Sequence, residues 1–185
     1  MNIVRRKCFI SYHHDDQAWV DYFINTFDHA HNLFIARGLG QTMAQDVVDS
    51  ADTDYVMRRI RQLYIRDSSV TLLMLGKCTW ARRYVDWEIQ ASLRSPQGGL
   101  PNGLLAIKLP AFPDNAAFPE RLNRNLLSDA RKAAGQTNCY ARWISYPQDT
   151  STLWTAIEEA FRRRTTHASL IENPRDRFTY NRQCN

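Results

Sequence analysis

The chain contains five short runs rich in apolar or aromatic residues. Between them lie stretches whose apolar residues recur at helical spacing. The first and third of these runs are rich in apolar, branched or aromatic residues at successive positions, which is typical of strands buried on both faces. The runs lie at 7–12, 33–36, 70–76, 104–109 and 142–146. Strands that alternate with helices predict a parallel sheet with helices on both faces.

The helical stretches are amphipathic, and polar residues predict where some of them begin. Val85, Ile89 and Leu93 recur at four-residue intervals after the third strand, as expected for the buried stripe of a helix. Thr53 or Asp54 is predicted to cap the second helix and Asp149 the last one. A further helix is predicted near 122–132.

This element order and length predict an α/β fold, a flavodoxin-like, doubly wound parallel sheet of five strands in a single domain. We expect the domain to span residues 1–165. Residues 166–185 are expected to form a C-terminal appendage or tail.

Composition narrows the class of protein. The 185 residues are 44% hydrophobic and 23% charged, which is ordinary for a globular domain. No apolar run approaches the ~18 residues of a membrane helix, and the basic N-terminus lacks the apolar core of a signal peptide. We therefore expect a cytoplasmic protein that does not contact membranes.

The four cysteines, at positions 8, 78, 139 and 184, form no C-x-x-C pair. Their scattered spacing predicts neither a zinc site nor a disulfide framework, and reduced thiols are expected.

The formal net charge is +5, which favours anionic partners without naming one. The arginine clusters at 58–61, 82–83 and 162–164 are dispersed over three predicted helices. No DNA-binding motif accompanies them, so a nucleic-acid partner is not expected and a solvated surface is the simpler interpretation.

In a doubly wound sheet, ligands bind at the carboxyl ends of the strands where the strand order reverses, here between the first and third strands. This rule points to Ser11, Tyr12 and His13, to the loop after the second strand, and to the helix after the third. Glu88 lies on that helix at the border of the buried stripe, where it could reach the crevice beside Tyr12. The alternative is a solvated helix glutamate, which is the commoner case.

Two other motifs are only weak indications of a binding site. The sequence from His13 to Asp16 has the residue types of a metal site, but neighbouring residues rarely converge on one ion, so a helix cap is preferred and no metal is expected. Gly38 and Gly40 lack the third glycine of a dinucleotide-binding loop, and the chain has no Walker motif.

The run from Lys7 to Tyr12, reading K-C-F-I-S-Y before an acidic helix start, resembles the opening strand of Toll/interleukin-1 receptor (TIR) domains. The segment from Ser69 to Gly76, followed by Y-V-D-W-E-I at 84–89, is similar to the third strand of that family and its W-x-x-x-E-I helix. The resemblance follows the order of elements over about residues 5–165. It is closest to the bacterial branch that includes the TIR proteins of Thoeris anti-phage systems.

The resemblance implies cleavage of the nicotinamide–ribose bond of NAD⁺, by hydrolysis, cyclisation or base exchange. It places the catalytic glutamate at Glu88 and an aromatic contact, usually Trp, at Tyr84. It also implies that NAD⁺ is bound by Ser11, Tyr12 and His13, and by Gly40 and Asp46 of the loop at 38–49. NAD⁺ is then the substrate, and no cofactor is implied. The loop lacks the proline common in receptor TIR domains, which argues against receptor-type adaptor signalling.

We therefore expect an NAD⁺ glycohydrolase or ADP-ribosyl cyclase of anti-phage defence. Because the chain carries no second effector domain, we expect its ADP-ribose-type product, cyclic or linear, to activate a separate effector. The alternative is a non-catalytic TIR module that self-associates. A nucleic-acid-binding accessory protein is a weaker third hypothesis.

Overall fold

The structure, a computed structural model, describes residues 4–38, 47, 49–95 and 99–184. The strands are β1 (Arg6–Ser11), β2 (Phe34–Arg37), β3 (Val70–Leu75), β4 (Gly103–Lys108) and β5 (Arg142–Ile144). The helices are α1 (Gln17–Ile24), α2 (Thr53–Ile60), α3 (Arg83–Ser92), α4 (Glu120–Arg124), α5 (Asp129–Ala133) and α6 (Thr150–Thr166). Wider, π-type turns extend α1 through Asn25–Ala30 and α2 through Arg61–Ile65.

The five strands form one sheet in the order β2-β1-β3-β4-β5, and every neighbouring pair is parallel. The chain moves outward from β1 to β2, then returns past β1 to β3 and continues to β5. The strand order therefore reverses between β1 and β3. The predicted doubly wound α/β sheet in a single domain is confirmed.

Helices cover the sheet on both faces, and side chains that alternate along each strand supply the two cores. On one face, Ile10, Leu72 and Ile107 pack with residues of α1 and α6. On the other, Leu73 and Leu104 pack with α3 and α4, and Phe9 packs with α2 and α3. All six of these strand residues are fully or almost fully buried. Because both faces are covered there, the central strands β3 and β4 are apolar at nearly every position. The edge strand β5 is exposed at Arg142 and Trp143.

The helix boundaries differ from the sequence-based predictions at two places. The cap of α2 is Asp52, whose carboxylate accepts hydrogen bonds from the backbone N–H groups of Asp54 and Tyr55 at 2.9 and 3.1 Å. Thr53 and Asp54 are therefore not the cap. Three consecutive capping-type residues offer the same chemistry, so composition alone does not choose among them. The predicted Asp149 cap of α6 is confirmed, since its side chain accepts from the Thr152 N–H at 2.7 Å.

The helix predicted near 122–132 is instead two short helices, α4 and α5. Asn125 lies between them, fully buried, and its side chain donates to the carbonyls of Arg121 and Glu172. An asparagine that bonds nearby backbone in this way competes with helix continuation. Ser128 then caps α5.

Residues 173–184, called here the C-terminal strap, run across the outer face of α3. The Trp87 indole N–H donates to the Phe178 carbonyl at 2.8 Å, and the Gln90 amide donates to the Pro174 carbonyl at 2.7 Å. The division of the chain at residue 165 stays a prediction.

The strap ends in a disulfide between Cys184 and Cys78. The expectation of reduced thiols is therefore wrong for these two residues. They are 106 positions apart in sequence, and only the return of the strap brings their Cα atoms to 5.7 Å, within the range a disulfide needs. Cys8 and Cys139 are free and buried.

Within the described parts of the chain, no helix combines the length and the apolar character needed to cross a bilayer.

Candidate active site

The candidate site lies at the carboxyl ends of β1 and β3, where the strand order reverses. Ser11, the last residue of β1, is paired in register with Leu73 of β3. The Ser11 side chain points to the face of the sheet that α3 covers, and the residue is buried. Sheet geometry therefore aims a hydroxyl at α3 in the position where such folds bind ligands.

Glu88 of α3 meets that hydroxyl. The Ser11 Oγ donates to Glu88 Oε2 at 2.6 Å. The buried neighbours Val85 and Ile89 fix the rotation of α3 on the sheet, and Glu88 lies beside them at the edge of the buried stripe. Glu88 is neither fully buried nor exposed. The structure thus brings together two of the predicted site residues, and Glu88 is not the solvated helix glutamate of the alternative interpretation.

The environment of Glu88 changes its acidity. Burial raises the pKa of the Glu88 carboxyl from 4.5 to about 7, and the hydrogen bond from Ser11 offsets part of that rise. Burial acts this way because the charged form loses hydration, whereas a donor favours the charged form. The carboxyl is therefore close to half ionised near neutral pH.

Tyr12 and Tyr84 lie at different places around this pair. The Tyr12 ring packs on the opposite face of the sheet, against the cluster shared by α1 and α6, and its hydroxyl donates to Gln17 at 2.5 Å. Glu88 consequently contacts Ser11 rather than Tyr12. Tyr84, one turn before Glu88, is half-buried between α2 and α3. Its hydroxyl accepts from the Arg83 guanidinium at 2.7 Å.

His13 is buried just beyond β1. Burial, reinforced by the positive charge of Arg82, lowers the pKa of His13 to about 4, so the ring is neutral at pH 7. His13, His14 and Asp15 place one ligand atom each within 4.8 Å of one another, the one such group found among the described residues. His14 and Asp15 are exposed and sit on consecutive positions, so we assign no ion to them.

A second carboxyl group at this edge was missed by the sequence analysis. A Cβ added to Gly76, directly after β3, would lie 2.1 Å from both carboxylate oxygens of Asp16. The glycine is therefore required for Asp16 to sit over the end of β3. Burial, followed by the charge of Asp15, raises the pKa of Asp16. The lone glycine that ends the third apolar run was the only available signal.

Gly40 and Asp46, the two predicted substrate-binding residues of the loop at 38–49, lie outside the described residues. Their proposed contacts with NAD⁺ stay predictions.

Comparison with known proteins bears on the whole of this site. The family model of the Thoeris protein ThsB, TIR-like domain, matches residues 9–114. That range contains the second half of β1, all of β2, β3, α3 and β4, and therefore both Ser11 and Glu88. It ends before β5, α6 and the strap. A search of curated proteins gives no match. Since more than half of the chain matches the model, the chain belongs to the Thoeris ThsB TIR-like domain family.

Proposed function

We propose that this protein cleaves the nicotinamide–ribose bond of NAD⁺ and that Glu88 is its catalytic carboxylate. The observation that carries the proposal is the Ser11–Glu88 hydrogen bond of 2.6 Å at the point where the strand order reverses. A carboxyl group held at that edge of the sheet, with a pKa of about 7, is typical of a functional rather than a structural acid.

The chemistry suits a single carboxylate. Nicotinamide leaves NAD⁺ as a neutral molecule from a cationic nucleotide, so no acid has to protonate it. The ribose left behind develops oxocarbenium character, as in glycoside hydrolysis. A fixed anion beside the ribose stabilises that positive charge in the transition state. We assign this role to ionised Glu88.

Ser11 is a positioning residue in this scheme. Its hydroxyl holds one carboxylate oxygen and favours the charged form, so that a useful fraction of Glu88 is ionised at neutral pH. Attack by water gives nicotinamide, ADP-ribose and a proton. Attack by a nucleophilic atom within the same nucleotide gives nicotinamide, a cyclic ADP-ribose and a proton.

We place the reaction in the cytoplasm, in anti-phage defence, with the ADP-ribose-type product acting on a separate effector. The Thoeris family assignment supports this role. His13, Tyr84 and the loop residues Gly40 and Asp46 are proposed to bind the rest of the nucleotide.

The experiment is incubation of purified protein with NAD⁺ at high protein concentration, with and without lysate from phage-infected cells. Mass spectrometry follows nicotinamide and identifies the nucleotide product. Release of nicotinamide under either condition supports the enzyme. Intact NAD⁺ under both conditions, from protein shown to be folded, contradicts it.

A second candidate is a TIR module that acts by self-association. Trp19 and Tyr22 favour it, because these two aromatic side chains of α1 are 39% and 58% exposed and lie edge to face 6.5 Å apart. Exposed aromatic groups of this kind are enriched in protein interfaces. Sedimentation analysis showing assembly that Trp19→Ala abolishes, without NAD⁺ cleavage at any concentration, would favour this candidate.

A further inference from the structure

The C-terminal strap is attached to the domain in two different ways along its length. Its first half, residues 173–178, is held by buried groups. Arg121 is paired with Asp86 and also donates to the carbonyls of Pro174 and Asp176, and the Phe178 N–H donates to the Asp86 carboxylate at 3.1 Å. This half is anchored to the core.

The second half, residues 179–184, lies on the surface. Residues 179–183 are exposed, and Tyr180 retains 77% of its accessible surface. Its attachments are hydrogen bonds to the loop between β3 and α3 and to Arg83, the first residue of α3, together with an exposed ion pair between Arg182 and Glu120 at 3.4 Å. The Arg182 N–H donates to the Ala81 carbonyl at 2.8 Å, and the Asn181 side chain accepts from the Arg83 N–H at 3.0 Å. Bonds this accessible to water open readily on their own.

The Cys78–Cys184 disulfide closes this second half onto the loop. Both cysteines are only partly buried, so a small reductant can reach them. The same loop borders the candidate site. Thr79, next to Cys78, accepts from the Gly76 N–H at 2.9 Å, and Gly76 is the residue against which Asp16 sits. The disulfide thus joins the chain terminus to the rim of the site.

We propose that the Cys78–Cys184 bridge is a thiol–disulfide exchange site whose substrate is a dithiol reductant, and that its reduction releases residues 179–184 from the β3–α3 loop. A thiolate of the reductant attacks one sulfur and forms a mixed disulfide, and its second thiolate displaces that cysteine. The dithiol loses two electrons and becomes a disulfide, while Cys78 and Cys184 each gain a proton.

The anchored half behaves differently on reduction. Arg121 and Asp86 hold residues 173–178 without any contribution from sulfur, so this half stays in place. The bridge therefore controls the mobility of the terminal half and of the loop beside the site. Among the described residues, the strap forms hydrogen bonds with α3, α4 and the β3–α3 loop and none with Ser11, Tyr12 or Glu88, so it supports the rim and does not plug the crevice. This proposal stands apart from the proposed NAD⁺ cleavage, since it is tested without NAD⁺.

The test is amide hydrogen exchange on the full chain, first oxidised and then treated with dithiothreitol. We expect exchange at the Arg182 and Arg83 amides to accelerate at least tenfold on reduction, while the Phe178 amide changes less than twofold. Equal rates in the two forms at Arg182 and Arg83 would overturn the proposal. Equal acceleration at Phe178 would overturn it too, because the whole strap would then be released. Free thiols at both positions in the oxidised sample would also contradict it.

Two variants separate the bridge from other effects of the reductant. Cys184→Ser should show the fast exchange in both buffers. Cys139→Ser removes a free thiol whose Sγ contacts the Ala141 carbonyl and leaves the bridge intact, so it should respond to dithiothreitol as the parent protein does. If Cys139→Ser no longer responded to dithiothreitol, the response would depend on Cys139 rather than on the Cys78–Cys184 bridge, and the proposal would be overturned.

Discussion

Glu88, the proposed catalytic residue, lowers the stability of the fold when its carboxyl group is ionised. Its pKa rises from 4.5 to about 7 on folding, so the folded protein binds this proton more tightly than the unfolded chain. The protonated group is the one the fold accommodates best. The stability that protonated Glu88 contributes is therefore fully present below pH 4.5. It is lost as the pH rises through the folded-state pKa of about 7.

A Glu88→Gln variant should recover that loss. The neutral amide has no charge to desolvate. We therefore expect the difference in free energy of unfolding, variant minus parent, to be about 2 kcal/mol larger at pH 8 than at pH 4. That is less than the full pKa shift implies, because the side chain is partly open to solvent. Urea denaturation at the two pH values measures the difference.

The matched control is Glu120→Gln. Arg124 lowers the pKa of Glu120, so removing that charge should not stabilise the protein at pH 8. A Glu88→Gln variant whose advantage is the same at pH 4 and pH 8 would refute the burial of its charge.

Ser11 lowers the pH at which Glu88 becomes ionised, against the larger effect of burial. In Ser11→Ala the carboxylate loses its donor, so the pKa of Glu88 should rise further above its present value of about 7. Under the proposed function, the rising limb of nicotinamide release against pH should move upward by about one pH unit. Ser92→Ala removes a buried hydroxyl of the same helix that bonds Thr71 instead, and should leave the profile in place. An unshifted profile in Ser11→Ala would show that Ser11 does not tune Glu88.

At the scale of secondary-structure elements, α3 is held between the sheet and the strap. Its inner side packs on β3 and β4. Its outer side carries Asp86, which is buried in a two-point contact with Arg121 of α4 at 2.9 and 3.3 Å. Periodicity predicted the inner stripe of α3. It could not predict that Asp86 and Trp87 are also buried, because their partners are 35 and 91 positions away.

Arg121→Met should destabilise the protein by about 3–5 kcal/mol, because it leaves the buried Asp86 carboxylate without its cation. Denaturant unfolding measures the loss. Arg124→Met is the control on the same helix. It breaks the exposed pair with Glu120 and should cost less than about 1 kcal/mol. Similar losses in the two variants would mean that the Asp86–Arg121 pair does not hold α3.

At the scale of the whole molecule, the sheet was predictable because its signal is local. The central strands β3 and β4 are apolar runs, and the β–α alternation together with right-handed crossovers leaves few topologies. The Ser11–Glu88 pairing was predictable in outline from the same topology. The strap and its disulfide were not, since they depend on contacts between residues 52 to 127 positions apart, and nothing in the cysteine spacing indicates them.

In the proposed reaction, the carboxylate of Glu88 promotes loss of nicotinamide from NAD⁺. The most direct measurement compares nicotinamide release by the parent protein and by Glu88→Gln, at equal concentration and equal assembly state, with folding checked by circular dichroism. We expect a folded variant that releases nicotinamide at least about 10²-fold more slowly. A folded Glu88→Gln protein that releases nicotinamide at the parent rate would contradict it.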